Sequence, residues 1–347
     1  MASSPTLDLT LTRTIHPVGQ GALYSETFSD SNNQPVFTAV YDCGGKKDYV
    51  GKEIQKLSTV DLLFISHFHS DHINGVPDLI KKKSVKRVVF PQISFCRFFV
   101  DFVFNCMREI KDDIRPACSF MLRMLPIISS ANSANGSVIW DDGIEYTPVT
   151  DGETGLPFPT ESPLWEYIAF YKEELYEDNS LYQNLLSILG LDDMRSFREK
   201  AFYEEIAKSL KDNEALFDKV KLAYQGAFPG GHNSYSMPVL SHYIGIEEKN
   251  QKVFDCLYTG DAIIENWVVE IVNGYRPNYI QVPHHGSNHN HNPNLYITTP
   301  IAFISVGETN RYRHPGLKTL LDLSGICKEV HIITEDSLRA FVSIIVF

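Results

Sequence analysis

Hydrophobic and polar positions follow one rhythm at the two ends of the chain and another through its middle. Leu7-Asp8-Leu9-Thr10-Leu11 alternates with period two, the pattern of a strand with one buried face. Val36-Phe37-Thr38-Ala39-Val40-Tyr41 is a β-rich run that stops at Asp42-Cys43-Gly44-Gly45. Leu62-Leu63-Phe64-Ile65-Ser66 reads as a short buried strand, Gly75-Val76-Pro77-Asp78 as a helix start, and Val85–Phe90 as a further strand. Strand, helix and strand in that order predict a layered α/β protein. Residues 93–225 read as mainly helical. Phe95–Met124, Leu164–Leu191 and Met194–Ala223 are rich in aromatic and aliphatic residues, and charges recur at helical spacing, as in Phe197-Arg198-Glu199-Lys200-Ala201-Phe202. A β-rich piece lies within this stretch, around Ser137–Trp140 and Ile144–Tyr146. Strand patterns return at Val239–Gly245, Cys256–Thr259, Tyr279–Val282, Ile301–Val306, Val330–Thr334 and Ala340–Phe347. The expected organisation is one discontinuous domain, residues 1–92 and 226–347, interrupted by a mainly helical insertion at 93–225.

Composition narrows the class. The chain has 347 residues and 43% hydrophobic content, ordinary for a globular protein. No apolar run reaches the roughly 18–20 residues of a membrane-spanning helix. Met1-Ala2-Ser3-Ser4-Pro5 lacks the basic and apolar blocks of a secretory signal, so a cytoplasmic location is expected. The six cysteines form no CxxC pair and read as free thiols. The net charge of −12 argues against a broad phosphate-binding surface. Between Asp151 and Val220 there are 16 acids and 7 bases, so this stretch supplies −9 of the total. Lys81-Lys82-Lys83 with Lys86 and Arg87 is the single basic cluster and reads as a solvated helix end. The apolar run Phe95–Phe104 reads as packing of the insertion on the domain, with a roof over a binding site as the alternative.

Five polar segments carry candidate chemistry. His67-Phe68-His69-Ser70-Asp71-His72 places four potential metal ligands within six residues, directly after a buried strand. Pro229-Gly230-Gly231-His232-Asn233-Ser234 offers His232 or Asn233 in a tight loop. Thr259-Gly260-Asp261 puts a carboxylate at a strand end. Pro283-His284-His285-Gly286-Ser287 offers adjacent imidazoles. On extended backbone these point apart, so one is expected to bind a metal and the other to orient it, with His285 preferred and His284 the alternative. Asn310-Arg311-Tyr312-Arg313-His314-Pro315 adds a histidine held extended by the following proline. His314 is a candidate proton donor or substrate contact.

Taken in order, these segments resemble the metallo-β-lactamase superfamily. Within it they are similar to the hydrolase domain of competence-type DNA-uptake channel proteins, which opens with turns like Val18-Gly19-Gln20-Gly21 and Tyr41-Asp42-Cys43-Gly44-Gly45. The resemblance covers residues 15–92 and 226–316 and leaves the insertion out. It implies an αββα sandwich with two divalent metal ions at one edge, zinc foremost, with manganese or iron as alternatives. His67, His69 and His232 would hold one ion. Asp71, His72 and His285 (or His284) would hold the other, and Asp261 would bridge them. The expected reaction is attack by a metal-activated hydroxide, oriented by Asp71, on a phosphodiester of a nucleotide or nucleic acid. His314 would stabilise or protonate the substrate, with Ser287, Asn310, Arg311 and Arg313 as substrate contacts. Two alternatives stand beside this reading: hydrolysis of a small ester, thioester or lactone, and a metal-stabilised scaffold that binds a partner. The insertion is expected to act as a lid, or as a surface for a protein partner or a second copy.

Overall fold

The computed structural model describes residues 9–112, 117–150, 152–157, 165–172, 179–191, 198–227, 236–244, 254–298, 300–336 and 341–346. Their strands form two sheets. The first contains β1 (Thr10–Ile15), β2 (Leu23–Ser29), β3 (Pro35–Cys43), β4 (Val60–Phe64), β5 (Val85–Pro91), β6 (Val138–Ile139), β7 (Glu145–Val149) and β15 (Phe341–Val346), in the spatial order β15-β1-β2-β3-β4-β5-β7-β6. The second contains β8 (Gly152–Pro157), β9 (Trp165–Tyr171), β10 (Val239–Tyr243), β11 (Cys256–Tyr258), β12 (Tyr279–Gln281), β13 (Ile301–Ser305) and β14 (Glu329–Ile333), in the order β14-β13-β12-β11-β10-β9-β8. Each sheet has a parallel half: β3, β4, β5 and β7 in one, β11 to β14 in the other. Such strands are covered on both faces and so read as nearly continuous apolar runs, as Leu62-Leu63-Phe64 does.

Helices cover the outer faces. α1 (Lys47–Lys56) and α3 (Val76–Lys82) bury Val50, Ile54, Val76 and Leu79 in the same core as the first sheet. On the second sheet, α9 (Asn266–Tyr275) and α10 (Leu317–Ile326) enclose a separate core of Val268, Val272 and Leu323 against Leu257, Ile280 and Ile304. The result is the αββα layering expected. Among the described residues no helix is long and apolar enough to cross a membrane.

The region expected as one mainly helical insertion with a β-rich piece within it is divided. Strands β6 to β9, residues 138–171, belong to the two sheets: β7 runs parallel to β5, and β9 pairs with β10. The helical additions are α4 (Phe95–Asp112) and α5 (Ala117–Ala134) before these strands, and α6 (Asn179–Leu189), α7 (Lys200–Asp212) and α8 (Glu214–Ala227) after them. Trp165–Tyr171 is a short apolar run, which periodicity alone does not distinguish from a buried helical segment. The phenylalanine run of α4 mainly packs the additions together. Phe98, Phe99 and Phe102 are fully buried, and rings of Tyr182 and Tyr203 stand edge-on to Phe99 and Phe98.

A buried ionic knot joins the sheets. In β1 the inward positions are Leu11, Arg13 and Ile15, so alternation itself turns a guanidinium into the core. Arg13 lies opposite Glu26 in the β1–β2 register, with Nε 2.6 Å from Oε1. Glu26 also accepts hydrogen bonds from three second-sheet hydroxyls: Tyr167 at 2.8 Å, Ser241 at 2.6 Å and Tyr258 at 2.9 Å. Replacing Glu26 with Ala leaves Arg13 charged, buried and without its counter-ion. The expected loss is about 3–5 kcal/mol of unfolding free energy, measured by urea denaturation. A loss below about 1 kcal/mol would show that the sheets are held by apolar packing alone.

Candidate metal centre and substrate cavity

The candidate ligands lie at the carboxyl ends of parallel strands from both sheets. The His67–His72 segment follows β4 and runs into α2 (Ser70–Ile73), Asp261 follows β11, and His284 and His285 follow β12. Close backbone approach makes this possible. A Cβ on Gly44 would lie 2.3 Å from the Asp71 carbonyl oxygen, so only glycine lets the β3 exit pass beneath that segment. A Cβ on Gly260, at φ +56°, would lie 2.2 Å from Ser236 Oγ.

Hydrogen bonds on the far side of each ring aim the imidazoles. His72 Nδ1 donates to Asp42 Oδ2 at 2.7 Å. The Ser66 hydroxyl also donates to Asp42 Oδ2, at 2.7 Å, and the Ser66 amide donates to Oδ1. With its proton so committed, Ser66 Oγ accepts from His67 Nδ1 at 2.9 Å. His285 Nδ1 donates to the Ser305 carbonyl at 2.8 Å, and His284 Nδ1 donates to Asn290 Oδ1 at 2.8 Å. In all four rings Nε2 is the atom facing the cluster, and the bond at Nδ1 fixes the tautomer a metal ligand needs.

The Nε2 atoms converge on Asp261. His72 lies 3.2 Å from its Oδ1 and His285 3.9 Å, while His67 and His284 each lie 3.8 Å from Oδ2. His285 Nε2 is also 3.7 Å from Asp71 Oδ2. Two donor groups result, His67 with His72 and Asp261, and Asp71 with His72 and His285, each within 4.8 Å. The buried His285 Nε2 is beyond hydrogen-bond reach of either carboxylate. Its separations suit atoms that each bind one cation at ~2.0–2.2 Å. The set therefore fits a divalent metal of imidazole and carboxylate preference.

The expectation that His284 and His285 point apart is corrected by their backbone. Both are left-handed, at φ +48° and +53°, which curls the segment so that both rings face Asp261. Two successive non-glycine residues at positive φ are costly and are held there by their surroundings.

Charge follows the same geometry. Burial and the neighbouring His72 and His69 hold His67 well below its ordinary pKa, so it is neutral and ready to ligate. Burial opposes charge on His72, but Asp261 and Asp42 outweigh it and raise its pKa well above 6.5. Burial would raise the Asp71 carboxyl, but Arg108, with Nη1 3.4 Å from Oδ1, and His285 keep it well below the usual carboxylate range. His314 is pushed down to about 4 by burial and by His284 and His285. Its imidazole is therefore held towards the neutral form.

Several residues here were not among the candidate site residues read from the sequence. Asp42 orients His72. Asn105 of α4 accepts from the Ser70 amide at 2.9 Å and donates to the Phe68 carbonyl at 2.6 Å, clamping the histidine segment. Asp101 of α4 is buried, 3.9 Å from His69 Nε2 and 3.2 Å from Arg97. Arg108 comes from the same helix. Of these, only Asp42 stands in a visible pattern, the Asp42-Cys43-Gly44-Gly45 strand exit. His232 lies outside the described residues.

Above the cluster is a cavity of about 810 Å³. His69, Asp71, His284 and His314 line its floor, with Ser287 and Arg311 beside them. Helices α4, α7 and α8 form the opposite wall. Of the expected substrate contacts, Asn310 and Arg313 are not among the described lining residues. The Asn310 amide is used inside its own loop, accepting from the His314 amide and donating to the His314 and Gly307 carbonyls, so it positions His314.

Comparison with known proteins agrees with the layered fold. Residues 37–95, from β3 through the histidine segment into the start of α4, match the Metallo-beta-lactamase superfamily. The chain has the metallo-β-lactamase fold, with histidine and aspartate groups that can hold metal. The match is to the superfamily as a whole and does not reach the DNA-uptake branch. Solved structures similar to this chain include the metallo-beta-lactamase fold protein YhfI from Bacillus subtilis, 8% identical over 97% of this chain and 99% of that one, at a TM-score of 0.45. Unliganded yeast PDE1 is 10% identical over 95% and 98%, at 0.43. A long form RNase Z from yeast is 11% identical at 0.37; the match covers 86% of this chain but 36% of the yeast protein. No curated protein matches the sequence.

Metal binding at His72 Nε2 must displace the proton that Asp261 and Asp42 favour there. Loading at pH 7 is therefore expected to release protons, and affinity to weaken as pH falls. Calorimetry in buffers of different ionisation enthalpy reads this directly. Asp42→Ala should lower metal affinity about 10–100-fold. Unchanged affinity in that variant would remove the orienting role.

Proposed function

We propose that the protein is a metal-dependent phosphodiesterase acting through two divalent ions, zinc foremost, held by His67, His69, Asp71, His72, Asp261 and His285, with His284 beside them and His232 as the further expected ligand. One observation carries the choice of substrate class. Arg108, Lys211, Lys221 and Arg311 line the cavity over the ligand cluster, against Asp71 and Glu214 as the only acids among the described lining residues. In a chain of net charge −12, this concentration of positive charge suits an anionic substrate. A neutral ester or lactone offers nothing for these cations to recognise.

Bound by these residues, divalent ions would supply Lewis acidity, lowering the pKa of water and polarising phosphoryl oxygens. Around them, Asp71 holds its carboxylate ionised between Arg108 and His285 and is placed to bind and to orient the attacking group. Arg108 and Arg311 draw the phosphate in. His314, neutral, donates a hydrogen bond to charge developing on the substrate.

The reading is tested by elemental analysis, followed by assays on bis-p-nitrophenyl phosphate, a thioester, a lactone and labelled single-stranded DNA. Turnover of the thioester or lactone alone would overturn it. Asp71→Ala should cost at least about a hundredfold in kcat; full turnover with a full metal complement would take Asp71 out of the reaction. His314→Gln should lower kcat/KM evenly between pH 5 and 8, because a group that loses its proton near 4 sets no alkaline limb. A selective loss of the alkaline limb would make His314 the acid after all.

A further inference from the structure

The cavity wall made by the helical additions has a composition that the ligand cluster does not explain. On α8, Phe217, Lys221 and Tyr224 line the cavity, and their spacing of four and three places them on one helical face. Phe104 and Arg108 of α4 continue that wall. Phe104 reaches the ligands themselves, its ring centroid 4.7 Å from that of His69, and it packs against Tyr224 at 5.7 Å. Across the cavity the Arg311 guanidinium lies over the Tyr312 ring at 5.3 Å. Aromatic faces interleaved with cations are the chemistry that holds a nucleobase beside its phosphate.

Size and outer charge decide between a single nucleotide and a polymer. A volume of about 810 Å³ falls in the range of sites for small molecules. Towards the cavity the α7–α8 pair presents Lys211 and Lys221 against Glu214. Elsewhere on the two helices the exposed carboxylates of Glu204, Glu205, Asp212 and Asp218 outnumber Lys200, Lys208 and Lys219. A small anion inside the cavity meets net positive charge, whereas a polyanion continuing past the described residues of α7 and α8 meets four carboxylates against three lysines.

We propose that α4, α7 and α8 form the specificity wall of this site, and that its substrate is a nucleotide-sized phosphodiester. Its base packs on Phe104 and Phe217, and Lys221 joins Arg108 and, from across the cavity, Arg311 in drawing its phosphate. The proposal rests on the phosphodiesterase reading above and adds to it the substrate size and the residues that select it.

The test compares kcat/KM of the full-length, metal-loaded protein on thymidine 5′-p-nitrophenyl phosphate, on bis-p-nitrophenyl phosphate and on a labelled single-stranded 20-mer. Calorimetry with thymidine 5′-monophosphate gives a readout that needs no turnover. The nucleotide ester is expected to be the best of the three. Phe217→Ala should lower its kcat/KM, relative to bis-p-nitrophenyl phosphate, by about tenfold, and weaken the monophosphate by a similar factor. Lys221→Ala should weaken the monophosphate to about the same extent. Phe217→Trp should restore both the ratio and the affinity, which separates base packing from loss of fold. An unchanged ratio in Phe217→Ala with unchanged monophosphate affinity in both alanine variants would overturn the proposal while leaving the phosphodiesterase reading intact. A 20-mer cut faster than the nucleotide ester would do the same in favour of a nucleic-acid substrate. No hydrolysis of any of the three would overturn both.

Discussion

Asp42 accepts hydrogen bonds from the Ser66 amide, the Ser66 hydroxyl and His72 Nδ1, all at 2.7 Å and all out of contact with water. The first fixes the end of β3 to the exit of β4. The second commits the Ser66 proton, which makes Ser66 an acceptor for His67. The third fixes His72. One carboxylate thereby sets the register of two parallel strands and the direction of two imidazoles. Charge-assisted bonds of this kind contribute about 1.5–3 kcal/mol each, and more is lost when one partner is deleted inside a core. The Glu26 knot does for the two sheets what Asp42 does for the strand ends: it brings β11, and with it Asp261, to the side of the first sheet that carries the histidines.

The helical additions change the meaning of the chain's acidity. Averaged over sequence, residues 151–220 look hostile to any anion. Among the described residues of α7 and α8, charge is divided by direction. Lys211, Lys221 and Arg108 face the cavity, while most exposed glutamates and aspartates of α7 and α8 lie elsewhere on those helices. Electrostatic steering depends on the local field in a cleft walled by low-dielectric protein, and net charge is a poor guide to it. Packing follows the same division. Phe98, Phe99 and Phe102 hold α4 to α6 and α7, and Phe104 is left to face the ligands.

Much of this was legible in the chain. His67, His69, Asp71 and His72 stand out because a strand end and a short helix place neighbours in sequence close in space. Asp261 and His285 stand at strand ends, but it is the resemblance to the metallo-β-lactamase superfamily that joins them to this cluster as candidates. The strand candidates after residue 236 all appear among the described strands, because short apolar blocks between turns leave few alternatives. The β-rich character around Ser137–Trp140 and Ile144–Tyr146 was legible and appears as β6 and β7; that β7 and β9 join the two sheets was not. Their joining depends on pairing β7 with β5 and β9 with β10 across intervening helices, and local pattern does not record long-range pairing.

The sequence by itself determined the layered class of the fold, through periodicity, and the first four candidate ligands, through nearby spacing; the later candidates came from the order of the motifs and the resemblance it carries. Tertiary structure decided which nitrogen of each of His67, His72, His284 and His285 faces the cluster, that His284 and His285 both turn towards Asp261, and that burial disfavours charge on His314. It also brought Arg108 to Asp71, 37 positions away in sequence, and laid Phe217 and Lys221 over the site. These outcomes depend on burial and on contacts between distant segments, which exist only once the two sheets have packed.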